Sequence, residues 1–390
     1  MSCRVAPVPV LTAEGMVTMR RTALVVGVFL LVAAATVRPA VAQPTAANPS
    51  DVAADFNNDG VADLAIGVPG ETVGGPENEI AGAVNVLYGA GSGLSGSGGQ
   101  LFAQVGGAVE FRDRFDEALA ARDFNGDGVA DLAAGASGEN VGSVEDAGAV
   151  SVLYGSAGGL TAAGGRLFTQ VGSAPEEQDW FGWALAAGDF NQDGLADLAV
   201  GAPFETVGGA FAAGAVSVLY GSAGGLTASG GRLFTQVAGN PEVGDQFGST
   251  LAAGDFNQDG FADLAAGAPL EDVGTVDDAG AFSTLYGSTS GLTTSGGRLF
   301  TQVAGTVEAG DEFGEQLAAG DFNSDGFADL AAAAPLEDVG TVSQAGAVSV
   351  LPGSAGGLTS TGGRLFTQNS PGVPGTAETF DQFGGLEIVF

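Results

Sequence analysis

The sequence predicts an all-β fold, a β-propeller of four-stranded blades, and three observations carry that prediction. A nine-residue segment recurs five times: DFNNDGVAD at 55–63, DFNGDGVAD at 123–131, DFNQDGLAD at 189–197, DFNQDGFAD at 255–263 and DFNSDGFAD at 321–329. Around the copies the same stretches of strand length return; in the third unit they are FGWALAAG (181–188), LAVGAP (198–203), GAVSVLYG (214–221) and GRLFTQV (231–237). The third observation is compositional: 68 Gly and 24 Phe in 390 residues, with abundant Val, Ala and Leu, fit short strands joined by tight turns. A unit of roughly 66 residues with four strands suits a propeller blade, whereas a solenoid coil repeats every 20–45 residues or so.

Taken in chain order, the first element is an address. Arg20 and Arg21 precede the uncharged run TALVVGVFLLVAAATV (22–37), which ends near Ala40-Val41-Ala42. Basic, apolar and small-residue segments in that order predict a signal peptide over 1–42, cleaved after Ala42, with a polar linker at 43–50. The run falls short of the roughly 20 residues that span a bilayer, so no membrane span is expected after cleavage. The expected location is secreted, extracellular. Cys3, the one cysteine, leaves with the leader, so the mature chain has no disulfide to rely on.

Residues 51–390 make up the propeller, with units starting near 51, 115, 181, 247 and 313. Five blades are predicted, with six as the alternative. The terminal DQFGGLEIVF (381–390) begins like DQFGSTLAAG (245–254), while unit one lacks a matching FG segment before Asp55. Residues 381–390 are therefore expected to close the ring as a strand beside unit one, removing two exposed sheet edges. The other readings are a sixth blade that begins there, or a fragment of a larger surface protein.

Composition narrows the chemistry. There is no His, and all 11 basic residues are Arg. That excludes a Ser-His-Asp triad, imidazole bases, Schiff-base lysines and the P-loop. A net charge of -35 excludes nucleic acid as a natural partner, because phosphate recognition needs cations. Oxygen ligands, by contrast, are plentiful.

The repeated loop arranges them. Positions 1, 3, 5 and 9 are side-chain oxygens, position 7 offers its backbone carbonyl, and Gly at position 6 permits the sharp turn. The predicted ligands are Asp55, Asn57, Asp59, Val61 and Asp63 in the first loop and Asp123, Asn125, Asp127, Val129 and Asp131 in the second. The third loop offers Asp189, Asn191, Asp193, Leu195 and Asp197, and the fourth Asp255, Asn257, Asp259, Phe261 and Asp263. Asp321, Asn323, Asp325, Phe327 and Asp329 complete the set. About six hard oxygens with three negative charges suit Ca²⁺ better than Mg²⁺, which demands a tighter octahedron. About five ions are expected. The loop is not an EF-hand: position 12 is Val200 or Ile66 rather than Glu, and the flanks read as strands.

These residues resemble a known family. The order FG, then DxNxDGxxD, then GAP is similar to FG-GAP repeats, as in the seven-bladed propeller of integrin α subunits and in many secreted bacterial proteins. The FG element stands at Phe181-Gly182, Phe247-Gly248, Phe313-Gly314 and Phe383-Gly384, and departs at Phe115-Asp116. GAP is intact at 201–203 and 267–269 and drifts to Gly67-Val68-Pro69, Gly135-Ala136-Ser137 and Ala333-Ala334-Pro335. The resemblance implies Ca²⁺ in the loops of one face and partner contacts on the other. Five loop-bearing units depart from the integrin pattern of seven blades, only some of which carry calcium loops.

The function expected is therefore a binding or adhesion module for a protein or glycan ligand, and not an enzyme. The segments after GAP vary most: 71–82, 138–148, 205–214, 271–280 and 337–346. The competing reading is an extracellular carbohydrate-active enzyme using a carboxylate pair. Glu71, Glu139, Glu205, Glu271 and Glu337 recur once per unit, however, and fit blade-to-blade acceptors better than a unique catalytic acid. Arg166, Arg232, Arg298 and Arg364 recur likewise and suggest one salt bridge per blade. Trp180 and Trp183 break the repeat, with Trp183 expected to pack within a strand.

Overall fold

A computed structural model describes residues 54–73 and 80–385, all of them in strands, turns and loops with no helix. The predicted leader and linker, and residues 386–390 of the predicted closing strand, lie outside the described residues. Among the described residues no helix is long and apolar enough to cross a membrane.

Five antiparallel sheets follow one another, each built from strands adjacent in sequence. Blade one contains β1 (Leu64–Val68), β2 (Ala83–Tyr88) and β3 (Ser95–Phe102). Blade two contains β4 (Phe115–Arg122), β5 (Asp131–Ala136), β6 (Ala149–Tyr154) and β7 (Thr161–Phe168). Blade three repeats this as β8 (Leu185–Gly188), β9 (Asp197–Ala202), β10 (Ala215–Tyr220) and β11 (Thr227–Phe234). Blade four has β12 (Leu251–Gly254), β13 (Asp263–Ala268), β14 (Ala281–Leu285) and β15 (Leu299–Phe300). Blade five has β16 (Leu317–Gly320), β17 (Asp329–Ala334), β18 (Ala347–Leu351) and β19 (Arg364–Phe366). The chain is a β-propeller, as its period predicts.

Burial explains the strand compositions. Every residue of β5, β9, β13 and β17 is buried, because each of these strands is covered on both faces by neighbouring blades. Their sequences, DLAAGA, DLAVGA, DLAAGA and DLAAAA, are accordingly small and apolar throughout rather than alternating. The outer strands β7 and β11 keep mostly exposed residues and bury Phe168 and Phe234 at their ends. Inner strands stack in series: β4 on β8, β8 on β12 and β12 on β16.

The apolar cores lie between blades rather than within them. One joins blades one and two around Phe56 and Phe115, and the next joins blades two and three around Phe124 and Phe181. Two more join blades three to four around Phe190 and Phe247, and four to five around Phe256 and Phe313. Phe56, Phe124, Phe190 and Phe256, each at position 2 of its Asp loop, are fully buried, which contributes about 2–3 kcal/mol apiece. Their counterpart Phe322 in blade five is 43% exposed, so that side of the last blade is more open than the other four.

The FG elements are blade clamps. Phe181 N–H donates to Ala147 O of blade two at 3.0 Å, Phe247 to Ala213 of blade three at 3.0 Å, and Phe313 to Ala279 of blade four at 3.1 Å. Phe383 does the same to Ala345 of blade five at 2.9 Å and packs beside Ala331, Ala333 and Val348. The described part of the predicted closing strand, 381–385, is thus a turn docked on blade five. In blade two Asp116 replaces the glycine, and β4 responds with a bulge between Phe115 and Leu119 and a length of eight residues instead of four.

Candidate metal loops and binding face

The second to fifth predicted metal loops each link an inner strand to the buried second strand, and the first leads into β1, so all five emerge at the end of the blades where β1, β5, β9, β13 and β17 begin. Local hydrogen bonds set their shape. In the first, Asp55 accepts the N–H groups of Asp59 at 3.1 Å and Gly60 at 2.8 Å, Asn57 Oδ1 also accepts Asp59 N–H at 2.9 Å, and Asp59 accepts Val61 N–H at 2.9 Å. The third, fourth and fifth loops repeat that pattern from Asp189, Asp255 and Asp321. Positions 1, 3 and 5 are therefore turned toward the same run of amides. Gly60, Gly128, Gly194, Gly260 and Gly326 at position 6 have φ between 83° and 92°, the conformation for which the sequence reserves glycine.

Position 9 is different. Asp131, Asp197 and Asp263 are fully buried at the start of β5, β9 and β13. One oxygen accepts the position-2 amide (Phe124, Phe190 and Phe256, at 2.9–3.0 Å), and the other accepts the amide of Gly155, Gly221 or Gly287 at 2.9 Å. Asp63 and Asp329 bridge in the same way. Burial pushes the Asp131 and Asp197 carboxyls up to about 7 and that of Asp263 to about 8, their two amide bonds notwithstanding, and the loop's other aspartates add to the effect. Asp63 and Asp329 shift upward for the same reason.

The structure brings positions 3 and 9 within reach across the loop, with Asn125 Nδ2 3.5 Å from Asp131 Oδ1 and Asn323 Nδ2 3.4 Å from Asp329 Oδ1. It does not gather three carboxylates of any loop around a single point; among the described residues no such cluster occurs. The donor set nonetheless fits a hard cation: all side-chain ligands are oxygens, and each carboxylate oxygen that accepts one N–H keeps a second lone pair.

The opposite end carries the FG turns and the segments after GAP. Four of these segments are pinned by paired backbone bonds, Val141 with Val144, Val207 with Ala210, Val273 with Val276 and Val339 with Val342. Large apolar side chains stand out here. Ile80 (49% exposed) neighbours Phe111 (51%), through the bond from Arg112 N to Ile80 O, and Phe211 (50%) neighbours Val243 (72%), through Gly244 N to Phe211 O. Between them, at the junction of blades two and three, Trp180 is buried in a stack. Trp183 lies 5.3 Å from it in near-parallel orientation, Phe204 meets it edge-on at 4.4 Å, and the Arg114 guanidinium sits 4.7 Å over its ring. Trp183 is packed, half-buried against its partner, but it lies in the turn before β8 and not within a strand.

Four of the five recurrent glutamates, Glu139, Glu205, Glu271 and Glu337, are buried, and Glu205 accepts across a blade junction. Ser173 at the end of blade two donates to Glu205 Oε1 of blade three at 2.8 Å. The recurrent arginine is a correction: Arg166 Nη1 donates to the Leu226 carbonyl of the next blade at 3.3 Å, where a salt bridge was expected. Sequence reasoning missed two further sets. Tyr88 of blade one reaches into blade two, where its hydroxyl accepts Leu160 N–H at 2.9 Å and donates to Gln100 within its own blade. Asp113, Asp179, Asp245 and Asp311, two residues before each FG phenylalanine, are buried to within 2% of full coverage. Their recurrence at the unit period was the available signal.

The profile of the FG-GAP repeat matches residues 47–87, 115–153, 181–219, 247–285 and 313–351, one match per blade. Among curated proteins, phosphatidylinositol-glycan-specific phospholipase D of Rattus norvegicus is 37% identical over 161 residues, which is 40% of this chain and 18% of that protein. Integrin alpha-7 of Mus musculus is 43% identical over 102 residues, 25% of this chain and 8% of the relative. Integrin alpha-5 of Xenopus laevis is 31% identical over 205 residues, 50% of this chain and 17% of the relative. The chain thus matches less than a fifth of the length of each of these relatives. Five profile matches on five successive blades, with FG, Asp loop and GAP in the same order in each, make this chain a member of the FG-GAP repeat family.

Proposed function

We propose that the chain is an exported, calcium-stapled binding module whose FG end contacts a protein or glycan ligand. The observation that carries the metal reading is the position-9 aspartate: a buried carboxylate in every blade, flanked by two more acids of its own loop, with lone pairs to spare. Ca²⁺ held by the position 1, 3, 5 and 9 side chains and the position-7 carbonyl would neutralise charge that otherwise opposes folding. The exposed apolar pairs at the other end, Ile80 with Phe111 and Phe211 with Val243, support that end as the contact surface. Export is the consequence of the leader predicted at 1–42. Integrin relatives support a binding role, while the phospholipase name belongs to proteins of which this chain matches under a fifth. The carboxyl pairs that the fold does assemble, such as Asp179 with Glu205, recur at successive junctions and are almost fully covered, which disfavours glycoside hydrolysis.

Each site should stabilise the fold by about 2.7 kcal/mol at a hundredfold excess of Ca²⁺ over its dissociation constant. Melting the mature protein in Ca²⁺ and in EGTA tests this: a large drop in midpoint is expected, and superimposable curves would refute the metal reading. A glycan and protein array probed with and without Ca²⁺ tests the rest. Saturable binding without turnover is expected; release of reducing sugar would replace the module with an enzyme.

A further inference from the structure

Four blade junctions contain an acid pair that belongs to no metal loop: Asp113 with Glu139, Asp179 with Glu205, Asp245 with Glu271, and Asp311 with Glu337. The aspartates are 0–2% exposed and the glutamates 4–6%. Backbone geometry holds the partners together. Gly138 N–H donates to Asp113 O at 3.0 Å, and Phe204 and Leu336 donate to Asp179 O and Asp311 O at 3.4 Å, so Glu139, Glu205 and Glu337 each directly follow a residue bonded to the paired aspartate. Asp113 Oδ1 and the Oε2 atoms of Glu139, Glu205, Glu271 and Glu337 are buried with no hydrogen-bond partner, which a hydrogen bond between the two carboxyls of each pair would supply. Such a bond exists only if one of the two acids carries a proton.

A glutamine from the preceding blade completes each junction. Gln104, Gln236 and Gln302 are 6–8% exposed, and neither end of their amides has a hydrogen-bond partner. Gln104 points at its pair: a Cβ built on Gly107 would touch both Gln104 Nε2 and Glu139 Oε1. At the remaining junction Ser173 occupies that place, donating to Glu205 Oε1 at 2.8 Å and accepting from Gln170 Nε2 at 3.3 Å. The charged groups acting on the pairs are all acids: Glu110 on Asp113 and Glu139, Glu176 on Asp179, Glu242 and Asp272 on Asp245, and Glu308 and Asp338 on Asp311. Arg112 and Arg114 flank Asp113 in sequence, but their guanidinium groups lie over Phe111 and Trp180.

We infer that each of these junctions binds one proton shared between its aspartate and glutamate, so that the blades are held together more tightly in mildly acidic than in neutral solution. With the proton in place the pair has a single negative charge and a hydrogen bond across the junction. Without it, two buried carboxylates face each other with other acids beyond them. Burial accordingly pushes Asp113 and Glu271 up to about 7 and shifts Asp179 and Glu337 upward, each with its partner acid adding to the effect, while Asp311 is shifted upward by burial and by Glu308 and Asp338. An acid whose folded pKa is raised contributes no penalty below its unfolded value near 4. The penalty grows as pH rises and is complete above the folded value.

The test uses the mature protein in saturating Ca²⁺ throughout, as wild type and as the Glu205→Gln, Glu271→Gln, Glu337→Gln triple variant, whose amides donate to the aspartates without a proton. The wild-type midpoint should fall between about pH 5 and about pH 8, and the variant should be flatter and melt higher than wild type at the alkaline end. An unchanged slope, or a variant that melts below wild type at about pH 8, would overturn the proposal. Should the triple variant fail to fold, Glu271→Gln alone gives the same comparison with a smaller effect. Infrared spectra of the folded wild type supply a second readout: a protonated-carboxyl band should persist at about pH 6, and its complete loss by about pH 5 would equally overturn the proposal.

Discussion

Replacing Gly182 by Ala isolates what the FG glycine does. Gly182 has φ +98°, and a Cβ built on it would lie 2.5 Å from Ala149 O and 3.3 Å from the Gly135 Cα, both in the preceding blade. Two costs follow. The backbone conformation is one that L-residues rarely adopt, worth about 1–3 kcal/mol, and forcing a methyl against a neighbouring backbone adds about 1–3 kcal/mol. One relaxation relieves part of both, so a loss of about 3 kcal/mol is expected. Unit two shows what that relaxation looks like, because Asp116 at the equivalent position coincides with a bulged and lengthened strand. The control is Gly164→Ala, where φ is +81° but nothing lies within 4 Å, so only the backbone cost applies. Thermal and urea unfolding in saturating Ca²⁺ provide the assay, with the Gly182→Ala midpoint falling by roughly 6 °C or more. Equal losses for the two variants would refute the blade-clamp reasoning.

Asp116→Gly should act in the opposite direction. It removes a buried carboxyl whose Oδ1 has no partner and whose pKa burial pushes up to about 7. The expected gain is about 1–2 kcal/mol at about pH 8 and less at about pH 5, where the acid is neutral; a lower midpoint at about pH 8 would count against it. Tyr88→Phe removes the hydroxyl that accepts the Leu160 amide across the first junction. A loss of about 1–2 kcal/mol is expected, with faster hydrogen exchange at Leu160, and an unchanged exchange rate there would show that the latch does not matter.

The parts of this fold legible in the sequence are those set within one unit. Strand order, the Asp loop and its position-6 glycine depend on residues a few positions apart, and the 66-residue spacing displays them repeatedly. What escaped is set between units. Asp179 reads in sequence as a polar turn residue, yet it is buried, with the Phe204 amide 25 positions away bonded to its carbonyl. Tyr88 reads as a strand aromatic, yet its hydroxyl bonds a residue 72 positions away. Arg166 suggested a salt bridge because an arginine recurs there in successive units, but the atom that accepts from it is a backbone carbonyl. Each core likewise spans two blades, so the repeating unit of sequence is not the unit of packing.

That mismatch explains why the repeats stay so alike. In a stack of blades each surface must fit the next copy, so a change in one unit has to be absorbed on both sides of a junction. Asp116 is absorbed by a bulge on its own strand and by Gly67 and Gly82 of blade one, where a Cβ on either would meet it within about 3 Å. Ser173 is absorbed by Gln170 and Glu205, which take its hydroxyl between them. Side chains on the exposed rim face no such requirement, and there Ile80, Phe111, Phe211 and Val243 differ from one blade to the next. Recognition by this propeller is therefore to be sought where the repeat is free to vary, at the FG end, and stability where it is not.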